Sequence, residues 1–285
     1  MRDFAAAPGA RWVAAGVIGD PVAHSLSPAI HNAAYAALGL PWGYAALRVR
    51  AGEVAEALAA AAAQGLRGLS VTTPHKVAVV AACDERSATV ERIGAANTVV
   101  FAGGRARAEN SDGLGLLDDL ADAFGFRPQG SICAVLGAGS TARAIVAALG
   151  DAGSGEVLVV DRTALRAVSA AALAGAGGRV AAPGDLAAAE LVVQATSVGF
   201  GGAGPGYAGG WEAITRHLRD GQLVVDVVYE PPVTEFSTLA ARRGARVRNG
   251  LGMLVHQAAR QVALFTGETP PLDVMFSAAG TPRRA

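Results

Sequence analysis

The stretch Gly137-Ala138-Gly139-Ser140-Thr141-Ala142 restricts what this chain can fold into more than any other. It follows an apolar run, Ser131 to Leu136, and opens a helix-like segment that continues through Leu149. Two glycines at that spacing permit a tight turn out of a strand and bare backbone N–H groups at a helix N-terminus. A small sixth residue lets the helix lie close on the strand. The next strand-like run, Glu156 to Asp161, ends in a carboxylate about where an acidic side chain would meet a ribose hydroxyl. Strand, turn, helix and strand together predict a dinucleotide-binding βαβ unit, with Gly137, Ala138, Gly139, Ser140, Thr141 and Asp161 as candidate cofactor residues. Further strands at Leu191 to Ala195 and Leu223 to Val228, each reached through helix-like segments, extend it to an open, doubly wound parallel sheet.

That unit does not use the whole chain. At 285 residues, and with about 150 per domain as a guide, a second domain is expected. The first part supplies one of α/β type. Strands are expected at Trp12 to Gly19, Trp42 to Val49 and Leu69 to Thr72, and a helix over Glu53 to Gln64 that Gly65 closes. Ser27 as N-cap and Pro28 at the first helical position start a helix that runs to Leu38 and stops at Gly39. Thr98 to Ala102 and Arg105 to Glu109 flank Gly103-Gly104 as a hairpin. The resulting division is 12–113 for substrate, 114–246 for the dinucleotide, and 247–285 for C-terminal helices, Met253 to Phe265 and Leu272 to Ala278, that return to the first domain. Substrate and cofactor would meet in the cleft between domains. The glycine-rich run Gly199 to Gly210 reads as a surface loop.

Composition narrows the partner. Formal charge is zero and charged residues make up 17%, so no basic face for nucleic acid is expected, and a small-molecule substrate is. No apolar run approaches the roughly 20 residues that span a bilayer, and the N-terminus lacks the apolar core of a signal peptide. Cys83 and Cys133 alone make no disulfide framework, and neither they nor the histidines have metal-ligand spacing. A soluble, cytoplasmic, metal-free protein is expected, monomer or homodimer.

Candidate chemistry centres on Lys76. The chain uses lysine once and arginine 23 times, so the one retained lysine suits a task arginine cannot perform, exchanging a proton near neutrality. Thr73-Pro74 repeats the cap-then-proline device and predicts Lys76 in the first turn of a helix, where the dipole would lower its pKa. Asn97 and Asp112 stand near the two ends of the hairpin, and Ser25 and Ser27 at a strand-to-helix turn. Ser27 has a capping role available to it; Ser25 has none. A dinucleotide site plus one acid/base amine is the minimum for hydride transfer to or from a carbinol carbon.

In this order the pieces resemble the shikimate dehydrogenase family over nearly the whole chain after the N-terminal tail. The resemblance lies in Gly16 to Pro28, in Val71-Thr72-Thr73-Pro74-His75-Lys76, in Ala95-Ala96-Asn97-Thr98 and in Asn110-Ser111-Asp112-Gly113. It continues in Ala195-Thr196-Ser197, Asp226-Val227-Val228-Tyr229 and Gly250 to Gln257. It implies reversible reduction of 3-dehydroshikimate to shikimate in aromatic amino acid biosynthesis, with Lys76 and Asp112 as the catalytic pair. By the same likeness Ser25 and Ser27 would hold the substrate carboxylate, Thr72, Asn97 and Asp112 the ring hydroxyls, and Tyr229 and Gln257 would lie at the substrate. Thr196, Val227, Gly250 and Met253 would lie near the cofactor, and Arg162 and Thr163 would face a 2′-phosphate. The family usually has asparagine at Ser70, threonine at Ser111 and glycine at Ser140. At Asp161 its NADP-dependent members have asparagine. NADP is the family's usual cofactor, and Asp161 makes NAD the alternative because a carboxylate suits a free 2′-hydroxyl. Quinate or aminoshikimate dehydrogenases are the nearest rivals, and a catalytically silent sensor of the same ligands is a third reading.

Overall fold

The computed structural model describes residues 12–199 and 209–280, so most of the loop expected at 199–210 lies outside the described residues. In chain order the first elements are β1 (Trp12–Gly19), α1 (Ser27–Ala37), β2 (Trp42–Arg48), α2 (Val54–Ala63), β3 (Gly68–Val71), α3 (Ala78–Ala81), β4 (Glu85–Arg86), α4 (Ala88–Ile93), β5 (Thr98–Ala102) and β6 (Arg105–Glu109). There follow α5 (Asp112–Phe124), β7 (Ile132–Leu136), α6 (Ser140–Asp151), β8 (Glu156–Val160), α7 (Ala164–Ala171), β9 (Gly178–Val180), β10 (Leu191–Gln194), α8 (Gly210–Thr215), β11 (Leu223–Asp226), α9 (Glu235–Arg242) and β12 (Arg246–Asn249). The chain ends with α10 (Leu251–Thr266) and α11 (Leu272–Ala278).

These form two compact units, 12–111 with 255–280 and 112–254. The first holds a mixed sheet of order β2-β1-β3-β5-β6-β4. Strands β1, β2 and β3 run parallel, and β5 and β6 form an antiparallel hairpin closed by Gly103 and Gly104, both at positive φ. Val71, Leu69, Val99 and Val54 pack into one buried cluster. Each such side chain contributes roughly 1.5–3 kcal/mol by leaving water. The later part of α10 belongs to this unit, and Gly68 has no side chain because the Phe265 ring occupies that space.

The second unit holds an all-parallel sheet of order β12-β11-β10-β7-β8-β9. Numbered from β7, this is the strand order 3-2-1-4-5-6 of the doubly wound fold. Its apolar strands are buried on both sides. One cluster includes Val135, Ile145 and Leu116, the other Leu136, Trp211 and Phe236. Gly113 lies against the Ala144 carbonyl, which lets α5 pack closely on α6.

Four expectations change. The second unit begins at Asp112, because that residue already opens α5, and it ends at Leu254, because β12 is a strand of its sheet. The sequence boundary at 246 had cut into that strand. Ser27 is not the cap of α1; Leu26 is, and Ser27 stands in the first turn. Ser25 takes a structural part instead, its Oγ accepting the Ser27 N–H at 3.2 Å. Finally, Thr73-Pro74 is a cis peptide, and Lys76 sits in a turn ahead of the four-residue α3 rather than in a helix. The dipole argument for that lysine therefore does not apply.

Candidate functional site

In the first unit the candidate residues collect at the carboxyl ends of β1 and β3, which lie side by side with Ile18 opposite Val71. The Thr72 N–H donates to the Ile18 carbonyl and the Asp20 N–H to the Thr73 carbonyl, joining the loop that leads to Ser25 and Ser27 to the loop that carries Thr72 and Lys76. The Lys76 carbonyl accepts the Ala96 N–H at 2.8 Å, and the Asn97 carbonyl accepts the Val71 N–H at 2.7 Å. Lys76 is half-buried, while Asn97 is fully buried. Beside the lysine, His75 is buried with Nε2 2.7 Å from the Val49 carbonyl, a packing role and not a second base.

Asn97 is held at both ends of its amide. Its Oδ1 accepts the Ser111 N–H at 2.8 Å, and its Nδ2 donates to Ser111 Oγ at 3.0 Å and to Gln257 Oε1 at 3.1 Å. The structure thus brings Asn97 and Gln257 into contact and pins the residue that precedes Asp112. Serine replaces threonine at 111 without loss of the hydroxyl that makes these bonds.

In the second unit the candidate cofactor residues lie at the carboxyl ends of the strands, about the point where β7 and β10 diverge in connection. Gly137 adopts φ +109°, and a side chain there would meet Thr196 and the Ala195 carbonyl. Gly139 caps α6, and a side chain there would meet only open space. Together with the N-terminus of α6, which begins Ser140-Thr141, this forms a bare backbone cradle suited to a phosphate. Ala142 is fully buried, as close helix packing demands. Asp161 follows β8, and its Oδ1 accepts the Thr163 N–H at 2.9 Å, shaping the turn that exposes Arg162 and Thr163.

Further polar groups in this unit were not anticipated. Gln194 and Asp226 end neighbouring strands, and Gln194 Nε2 donates to Asp226 Oδ1 at 3.2 Å. Asp226 also accepts Thr234 Oγ1–H at 2.6 Å and the Val228 N–H at 3.1 Å, while Gln194 Oε1 accepts the Thr196 N–H. Burial raises the Asp226 carboxyl, and these bonds oppose the shift. The pair fixes the loops bearing Thr196, Val227 and Tyr229, whose phenol burial also raises. Gly250 has no side chain because the Val227 carbonyl lies there, and Met253 is buried in the same unit. Arg143 on α6 is a second surprise. Its guanidinium is lowered by burial and then by the charge of Arg166 on α7, and its Nε is buried without a hydrogen-bond partner. Polar residues that end apolar strands were the available signal for Gln194 and Asp226; nothing in the sequence joined Arg143 to Arg166.

A doubly wound sheet with this glycine loop at its divergence point defines a Rossmann-type, dinucleotide-binding protein. The chain belongs to the shikimate dehydrogenase family. Residues 17–99 match the shikimate dehydrogenase substrate binding domain, and residues 250–278 the shikimate 5′-dehydrogenase C-terminal domain. The shikimate dehydrogenase (NADP(+)) of Citrifermentans bemidjiense is 42% identical over 93% of each chain. The crystal structure of shikimate 5-dehydrogenase from Thermus thermophilus with NADP(H) and shikimate superposes with a TM-score of 0.84 at 36% identity, covering 94% of this chain and 98% of that one. The ligand-free 5-ketofructose reductase of a Gluconobacter species gives a TM-score of 0.81 at 31% identity, covering 95% of this chain and 98% of that one. Among the described residues no helix is long and apolar enough to cross a membrane, and no group of ligating side chains fits a metal ion.

Proposed function

We propose that this protein reversibly reduces 3-dehydroshikimate to shikimate with NADP. The observation that supports the reading is that the loops bearing Ser25, Ser27, Thr72 and Lys76 lie together at the ends of β1 and β3, with Asn97, itself bonded to Gln257, next in the fold. Hydroxyls and amides suit a polyhydroxylated carboxylate, and a lone amine among them suits proton exchange at a carbonyl oxygen. Fold likeness to a 5-ketofructose reductase leaves substrate choice to such side chains.

In this reading the first unit binds substrate and the second the dinucleotide. Ser25 and Ser27 hold the carboxylate, while Thr72, Asn97, Asp112, Tyr229 and Gln257 hold the hydroxyls. Lys76 gives its proton to the carbonyl oxygen in reduction and takes it back in oxidation, with Asp112 as its carboxylate partner. The nicotinamide, when bound, supplies or accepts the hydride. The residues present fit that group. Gly137 and Gly139 leave room for the pyrophosphate, and an anion beside Arg143 and Arg166 would relieve their mutual repulsion. The NADP named for the family's relatives is the expected cofactor despite Asp161, with Arg162 and Thr163 at the 2′-phosphate. Thr196, Val227, Gly250 and Met253 line the nicotinamide side. The two free, buried cysteines suit a cytoplasmic protein, which we take to be a monomer or homodimer.

The test is a panel of shikimate, quinate, aminoshikimate and 5-ketofructose, with NADP or NAD (reduced for the ketone), followed at the nicotinamide absorbance. Shikimate with NADP should give the highest kcat/KM. A preference for quinate would move the protein to the rival class, and absence of turnover with any pair would favour a ligand sensor.

A further inference from the structure

Beneath Asn97 the first unit holds a chain of buried polar side chains that the roles above leave unused. Tyr44 OH donates to Ser70 Oγ at 2.6 Å, and Ser70 Oγ donates to Gln261 Oε1 at 2.7 Å. Gln261 Nε2 donates to Thr98 Oγ1 at 3.0 Å and to the Asn97 backbone carbonyl at 3.2 Å. Thr98 Oγ1 then donates to Asn97 Oδ1 at 2.8 Å, and Asn97 Nδ2 donates onward to Gln257 Oε1 at 3.1 Å. All of these residues are buried.

The direction of the chain is set by backbone groups, which cannot reverse. A carbonyl only accepts, so the end of Gln261 that faces Asn97 O is its nitrogen, and Oε1 must face Ser70. An N–H only donates, so the end of Asn97 that faces Ser111 N is its oxygen, and its nitrogen must face Gln257, whose facing atom is then Oε1. Gln257 and Gln261 are one helical turn apart on α10, so a single helix face inserts both amides. Bonds aligned head to tail in a buried setting polarise one another and hold their members in one orientation.

We propose that Gln261, seated by Tyr44 and Ser70, is a positioning residue for the substrate site: through the Asn97 carbonyl and the Thr98 hydroxyl it steadies the Asn97 amide, whose orientation the Ser111 N–H fixes, against Gln257. Serine at position 70 is short enough to leave room for this glutamine and the tyrosine to meet on one hydroxyl. The catalytic consequence rests on the function proposed above; the relay itself does not.

Two near-isosteric variants test it. Gln261→Glu keeps an acceptor for Ser70 and leaves at most one donor, the proton of a neutral carboxyl, for Asn97 O and Thr98 together, and Thr98→Val removes only the hydroxyl between Gln261 and Asn97 Oδ1. In the ligand-free protein, solvent exchange of the Asn97 side-chain amide protons, assigned by their loss in Asn97→Asp, should accelerate at least about tenfold in each variant, the scale of one buried hydrogen bond. In turnover, KM for shikimate should rise about tenfold, with KM for NADP and the pH dependence of kcat unchanged, because the lysine and the dinucleotide site are untouched. The Gln261→Glu/Thr98→Val double variant should add little to either single one. Unchanged exchange in both variants overturns the relay, and equal losses in both KM values reduce it to general packing. A parent that does not turn over shikimate would sink the functional reading, and the exchange measurement would still decide the relay.

Discussion

Lys76 was visible as the only lysine of the chain, and its placement beside Ala96 and Asn97 gives that singularity a chemical context. Arginine there would keep the charge and lose the exchangeable proton. Lys76→Arg should therefore lower kcat by about 10²–10⁴-fold while shikimate still binds, measured by steady-state kinetics beside a binding isotherm. Near-parental kcat would make the lysine a positioning charge only. Asp161 can be tested as cleanly, since its Oδ1 shapes the local turn by accepting the Thr163 N–H and asparagine would keep that bond. Asp161→Asn should then shift kcat/KM toward NADP by about 1–3 kcal/mol without disturbing the loop, and Arg162→Leu should shift it toward NAD. Ratios unchanged in both would place this turn away from the ribose. Ser25 shows where single residues mislead. Its backbone bond to Ser27 depends on a turn geometry that no neighbouring residue type announces.

At the scale of elements, the strands and hairpin read well because apolar runs and paired glycines have local causes. Both hairpin strands and α11 lie where the pattern put them. The short pieces β4 and β9 were not legible, since two or three residues carry no period, and the helix expected after Thr73-Pro74 is only the four-residue α3. Neither was the extent of the second unit, because β12 alternates arginines and reads as surface. One of those arginines explains how it is held. Arg248 Nε and Nη2 donate to the carboxylate of Asp119, which is fully buried on α5, so the last strand is tied to the unit's first helix. Removing one partner leaves a buried charge without its counterion. Arg248→Met should cost about 3–5 kcal/mol in chemical denaturation. The double variant Asp119→Leu/Arg248→Met should recover most of that loss, because an apolar pair of similar volume pays no desolvation. If the double variant is as unstable as the single one, the pair matters for its shape and not its charge.

For the molecule as a whole, the near-balance of charge hides an acid sensitivity seated in the core of the first unit. His31 is fully buried, stacked on Tyr44 with ring centroids 4.0 Å apart. Its Nδ1–H donates to the Ser27 carbonyl at 2.9 Å, and the ring also interacts with the Gln261 side chain, both of which only partly oppose the effect of burial. Burial lowers its pKa from an ordinary 6.5 to about 4. The sign follows from proton uptake. Below about 6.5 the unfolded chain binds a proton that the folded chain refuses, so stability falls as pH falls, until the folded histidine itself titrates near 4. Above 6.5 the contribution is complete and level. At about 1.4 kcal/mol per pH unit, the loss over that window is on the order of 3 kcal/mol. Trp12 and Trp42 lie in this unit and Trp211 in the other, so a Trp211→Phe protein reports the first unit alone. Its urea midpoint should be steady from pH 8 to 6.5 and decline from there to pH 4. His31→Gln, which cannot take up the proton, should be less stable at pH 8 yet show a clearly shallower decline. Equal slopes in the two proteins would remove His31 as the source of the acid sensitivity.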